Sequence, residues 1–153
     1  MRLYTFNHYM LSDIQKGIQS GHATVELFAK YKENEMLYDW AENHKTHIAL
    51  NGGNSVDLEE LKTFLLGSNI KYPWAVFNED ESLGNLLTSI SIILPEKIYE
   101  CARLLRQKAI TWNENLLIPE DWNLEASEFA SRYIYFRDEE KEIVELIKNS
   151  RLA

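Results

Sequence analysis

Four short apolar runs, set apart by stretches of helical periodicity, constrain this chain more than any other feature. Leu3–Tyr9 alternates apolar with polar residues, Thr46–Asn51 and Tyr72–Phe77 are short and apolar, and Leu86–Leu94 holds Ile90, Ile92 and Ile93. Their length and their β-branched and aromatic content predict strands. Between the first two, Ile14, Ile18, Val25 and Phe28 recur at helical spacing up to about Tyr31, forming the expected core stripe, and Ser12 with Gln15 has the S-x-x-Q form of a capping box. A shorter helix is predicted over Glu35–Asn43, with Met36, Leu37, Trp40 and Ala41 as its apolar stripe. Gly52-Gly53 permits a sharp turn, after which Ser55 stands where a helix cap is expected, with Leu58, Leu61, Leu65 and Leu66 on the core face. The acidic turn Asn78–Ser82 joins the last two runs, and Pro95 opens a helix running to about Gln107.

The order β-α-α-β-α-β-β-α implies an α/β fold, a mixed four-stranded sheet covered by helices and containing one antiparallel hairpin. After Lys108 the pattern changes. Residues 111–123 hold Trp112, Leu116, Leu117, Ile118, Pro119 and Trp122 without clear periodicity and read as an irregular, packed strap. Ser127–Phe136 is ambiguous between helix and strand, whereas Asp138–Lys148 is helical, with Ile143, Val144 and Ile147 on one face. The expected organisation is therefore a domain over residues 1–107 and an extra, mainly helical C-terminal segment over residues 108–153 packed on it.

Charge narrows the partners. Sixteen Lys and Arg against 24 Asp and Glu give a formal net charge of −8, and residues 108–153 carry no basic surplus. An acidic chain does not gain its affinity from wide contact with nucleic acid phosphates or anionic lipid, although a local basic pocket remains compatible with it. The single cysteine, Cys101, has no partner for an internal disulfide and reads as a core thiol. No run approaches the roughly 20 apolar residues of a membrane span and the N-terminus lacks a signal-peptide core, so the expectation is a cytoplasmic protein with no membrane partner.

The first helix carries the most informative polar pattern. Gln15, Gln19, His22 and Glu26 are spaced by four, three and four residues and so share one helix face beside the apolar stripe. Gly17 and Gly21 each cost about 1 kcal/mol of helix propensity relative to alanine, which predicts a second backbone packed against them and His22 hydrogen-bonded in the interior. Other signals are structural. His44 and His47 have no carboxylate at suitable spacing for a metal site. Gly52-Gly53-Asn54-Ser55 lacks a P-loop lysine and is followed by Asp57, Glu59 and Glu60, so it reads as a turn. Trp112, Trp122, Tyr133, Tyr135 and Phe136, without interleaved basic residues, either pack the C-terminal segment onto the domain or form a homodimer contact.

The string Leu11-Ser-Asp-Ile-Gln-Lys-Gly-Ile-Gln-Ser-Gly-His-Ala23, following a strand, resembles the signature of the archaeal and eukaryotic type of peptidyl-tRNA hydrolase, in which a strand leads into a helix reading roughly M-S-x-G-K-x-A-A-Q-x-x-H-A. Ser12, Gln19 and His22 fall on the family's serine, glutamine and histidine, and Gln15 stands where the family has a lysine. Lys16 is adjacent, but one residue turns a helix position by about 100°. The segment Phe77–Ser91 is similar to the family's acidic turn and following strand, with Asp80 or Glu81 on its active-site aspartate and Thr88 on a nearby threonine. The resemblance spans about residues 2–105. It implies hydrolysis, without metal or cofactor, of the ester joining a peptide to the tRNA 3′ end. Gln19, Asp80 and Thr88 would be the catalytic residues, and Gln15, Lys16, His22 and Glu81 would support them or bind substrate. The alternative is a catalytically lapsed, phage-like relative that binds RNA or a protein. The hydrolase expectation has one geometric requirement, that Gln15, Gln19, Asp80 and Thr88 converge on a single cleft.

Overall fold

A computed structural model describes residues 1–80 and 84–153 and shows an α/β protein; Glu81 lies outside the described residues. The chain divides into two compact units, residues 1–94 with 150–153, and residues 95–149. In the first unit β1 (Arg2–Asn7) leads into α1 (Asp13–Lys30), α2 (Glu35–Asp39) and a π-helical turn at Trp40–His44, and then β2 (His47–Asn51). α3 (Ser55–Gly67) connects to the hairpin of β3 (Trp74–Asn78) and β4 (Leu87–Leu94). The strands form one mixed sheet in the order β2-β1-β4-β3, β1 and β2 being parallel and the other neighbours antiparallel. The element order is the one the periodicity predicts.

Local chemistry fixes the boundaries. Ser12 Oγ accepts the Gln15 N–H and Gln15 Oε1 accepts the Ser12 N–H, the reciprocal pair of the expected capping box. The cap of α3 is Asn54, one residue before the predicted Ser55, because Asn54 exchanges the same two bonds with Asp57. Gly52 permits a close approach: a Cβ there would stand 2.7 Å from Leu58 Cδ2 and 3.0 Å from the Phe6 carbonyl carbon. Gly53, at φ +82°, supplies the left-handed residue of the turn.

The largest departure from expectation is the rotation of α1. Ile14, Ile18 and Val25, predicted to face the core, are exposed, Ile14 by 79%. The buried residues are Gln19, Ser20, Ala23 and Leu27. The cause is the sheet beneath. Leu3, Thr5 and Asn7 of β1 lie beside Ile93, Ser91 and Ser89 of β4, so this face is apolar at one end and polar at the other. Leu27 joins Leu3, Leu37, Ala75 and Ile93 at the apolar end, with Met36, Phe28 and Trp40 packed against them. At the polar end the sheet needs hydrogen-bonding partners, and the Gln19–Ser20 side of the helix supplies them. The glycine expectation fails with it, since a Cβ on Gly17 or Gly21 would meet nothing within 4 Å. On the opposite face Tyr4, Phe6, Ile90, Ile92 and Leu94 are buried, and α3 packs against β4.

The second unit contains α4 (Glu96–Arg106), β5 (Ile110–Asn113), β6 (Leu116–Pro119), α5 (Leu124–Arg132) and α6 (Asp138–Asn149). α4, read from sequence as the end of the first domain, packs with α6 here. The segment expected to be an irregular strap is a β5–β6 hairpin, its turn made by Glu114 at φ +55° where sequence offers no glycine. α6 buries Ile143, Val144 and Ile147 as predicted, and Glu140 is held by Lys97 at 2.7 Å. Cys101 is fully buried, and loss of solvation, with a smaller push from Glu145, raises its thiol to about 12.

The rotation of α1 has measurable consequences. Leu27→Ala is expected to cost about 2–5 kcal/mol in urea unfolding, whereas Ile18→Ser stays within about 0.5 kcal/mol. Gly17→Ala, entering open space on a helix, is expected to add about 0.5–1 kcal/mol.

Candidate functional site

The polar end of the α1–sheet contact brings together two of the predicted site residues. Gln19, only 7% exposed, lies one helical turn beyond the capping box. Thr88 Oγ1 donates to Gln19 Oε1 at 2.8 Å, and Gln19 Nε2 donates to Glu79 Oε2 at 2.7 Å. Because a carboxylate only accepts, these contacts fix the amide's orientation, nitrogen toward Glu79 and oxygen toward Thr88. Glu79 is anchored by its own backbone, its N–H donating to the Leu86 carbonyl, and its Oε1 accepts the Asp80 N–H.

The other predicted residues stand elsewhere. Gln15 is exposed and spends its side-chain oxygen on the Ser12 N–H. Asp80 is exposed, and the carboxylate that reaches Gln19 belongs to its neighbour Glu79. Lys16 is half-buried and has no recorded ion pair among the described residues. His22, expected inside, is exposed and lies flat on Phe77, ring centroids 4.5 Å apart and planes 17° apart.

Deeper in the same contact is a network that the sequence did not announce. Ser20 Oγ and Ser89 Oγ both donate to Asn7 Oδ1 at 2.9 Å, and Asn7 Nδ2 donates to Thr5 Oγ1 at 3.4 Å. Ser20 has spent its one proton, so in its 2.9 Å contact with Thr5 the Thr5 hydroxyl must donate. Thr5 then has no proton left for His47 Nε2, 2.8 Å away, and His47 must donate to it. Much of His47 is exposed, but Nε2 is turned into the protein, and loss of solvation lowers the imidazole from its ordinary value near 6.5. His44 instead contacts Asp39 at 3.3 Å, so the two histidines serve different partners.

A serine–histidine pair also forms away from this contact. His8 Nε2 is 3.1 Å from Ser55 Oγ, and His8 Nδ1 accepts the Met10 N–H. The accepting Nδ1 puts the neutral ring's proton on Nε2, so His8 donates to Ser55 and cannot take its proton.

Chemically, the Thr88–Gln19–Glu79 chain is closed. Thr88 gives its proton to an amide oxygen, and that amide stands between it and the Glu79 carboxylate. Ester hydrolysis needs a base in reach of the nucleophile and a donor or cation for the oxyanion. Here the cluster keeps the second Gln19 N–H, while Gln15 supplies no fixed charge. No known protein-family model matches the sequence, and no curated protein is significantly similar to it.

Thr88→Val is expected to strand Gln19 Oε1 in a buried site and cost about 1–3 kcal/mol, whereas Thr88→Ser costs much less; chemical denaturation reads both. The His47 contribution has a definite sign. Its folded value is depressed, so its contribution is intact above pH 6.5 and stability falls as pH drops through 6.5 toward the lower folded value. His47→Gln should flatten that part of the stability–pH curve.

Proposed function

We propose that this chain is a peptidyl-tRNA-hydrolase-like protein that has given up hydrolysis and acts as a binding module for a protein partner. The observation that carries this reading is the closed Thr88–Gln19–Glu79 chain, in which two of the predicted catalytic residues, Thr88 and Gln19, are satisfied by each other and by Glu79. The mixed four-stranded sheet and its element order support the resemblance in fold. Gln15, in the family's lysine position, caps α1 and brings no charge to the cluster.

A net charge of −8 disfavours RNA as the partner. The exposed apolar residues Met10, Ile14, Ile18 and Val25 favour protein, since exposed apolar surface marks interaction sites. Incubation with peptidyl-tRNA should therefore give no peptide release above the buffer rate, for the natural protein or for Gln15→Lys. Release by the natural protein that falls at least a hundredfold in Gln19→Ala and Glu79→Gln would establish the hydrolase instead.

A further inference from the structure

The two edges of the sheet are treated differently. At β2 the chain closes its own edge: Leu152 bridges Leu50 in antiparallel fashion, the Asn51 N–H donates to the Arg151 carbonyl and the Ala153 N–H to the Ala49 carbonyl. At β3 no backbone is recorded on the outer side among the described residues. The Ile93 N–H to Pro73 carbonyl bond sets the phase of the β3–β4 ladder, so Ala75 and Phe77 pair inward with β4. Trp74 and Val76 therefore turn their N–H and C=O groups outward. The Lys30 ammonium fits this phase, since it donates to the Trp74 carbonyl at 3.0 Å and sits 4.0 Å from the Trp74 ring centroid.

A cleft of about 490 Å³ runs along this edge, between Ala29 and Lys30 of α1 and Lys62 and Leu66 of α3, with Trp74 and Val76 at its floor. Glu26 is its one acid, and Lys62 forms no ion pair among the described residues. Two lysines beside one edge strand, in a chain of net charge −8, set a charge preference. Lysines at a sheet edge repel basic strands and discourage indiscriminate pairing, but an acidic strand adding there gains a partner for each ammonium. Main-chain bonds to Trp74 and Val76 would give the affinity, and the alternation of side chains between the two faces of the added strand the register.

We infer that the outer edge of β3 is a strand-addition site that takes an extended acidic peptide segment of a partner protein. The inference rests on the binding-module reading and names the class of partner. Its test uses the full chain and a fluorescein-labelled ten-residue peptide alternating Glu and Val, followed by anisotropy at physiological salt. Saturable binding is expected, at least about tenfold tighter than for the Lys–Val counterpart, and lost when alternate peptide nitrogens are methylated on the pairing edge. Val76→Pro, which removes one outward N–H from an edge strand, and Lys62→Glu should each weaken binding at least about tenfold. Should Val76→Pro fail to fold by circular dichroism, Lys62→Glu and the methylated peptide decide the matter. Absence of saturable binding, or equal binding of the Lys–Val peptide, overturns the inference. So does a dimer in sedimentation that Val76→Pro disperses, because a second copy would then occupy the edge. Failure of this test while peptidyl-tRNA stays intact removes only the acidic-strand site and leaves the module reading standing.

Discussion

The rest of the first unit depends on one contact, the Asn7 side chain held under α1 by Ser20 and Ser89. Burying hydroxyls and an amide without partners would cost about 1–3 kcal/mol for each group. Here Thr5, Asn7, Ser20 and Ser89 share their donors in one consistent direction, and Ser91 Oγ completes the seam by donating to the Ala23 carbonyl. The net gain in stability from such a network is small; its strength lies in what it forbids. Turning α1 by one residue would carry the Ser20 hydroxyl away from Asn7 and Thr5, put Gln19 or Gly21 in its place and break these bonds. The network therefore sets the rotation of the helix, while the Leu3–Leu27–Leu37–Ile93 cluster supplies the apolar burial that holds it down.

That rotation determines what the surface offers. With Gln19 and Ser20 turned inward, the stripe of Ile14, Ile18 and Val25 must face outward, and the two glycines open beside it. An ordinary amphipathic helix would have hidden these residues, so the exposed stripe follows from the polar sheet face. His22 stacks on Phe77, which gives an exposed imidazole a fixed position without a hydrogen bond among the described residues.

Most of the architecture was legible because short-range chemistry specifies it. The Ser12–Gln15 box, the strand at Ile90–Leu94 and the helix over Ile143–Ile147 need only local periodicity and capping. The facing of α1 was not legible, because the alternation of Thr5 and Asn7 on β1 and of Ser89 and Ser91 on β4 looks the same whether that face meets water or a polar helix. The one available sign was that both strands carry their polar residues in phase, which is informative only once their pairing is known. Gln19 and Thr88 were found through the helix signature and the strand that follows the acidic turn. Glu79 was missed because an acidic run fixes no phase: which carboxylate faces the helix depends on the register shift between Phe77 and Asn78. The β5–β6 hairpin was hidden for a similar reason, its left-handed turn residue being Glu114 rather than a glycine or asparagine.

Position 15 shows how the same helix could serve chemistry or structure, but not both. The side-chain oxygen of Gln15 accepts the Ser12 N–H, half of a reciprocal cap. A lysine there has no acceptor, so it would surrender that half, of the order of 1 kcal/mol as helix caps go, to gain a cation one helical turn before Gln19. A cluster closed by hydrogen bonds and a helix closed by its own cap are thus consistent choices. The first stabilises the buried polar contact and the second the start of the helix, and each removes a group that hydrolysis would require.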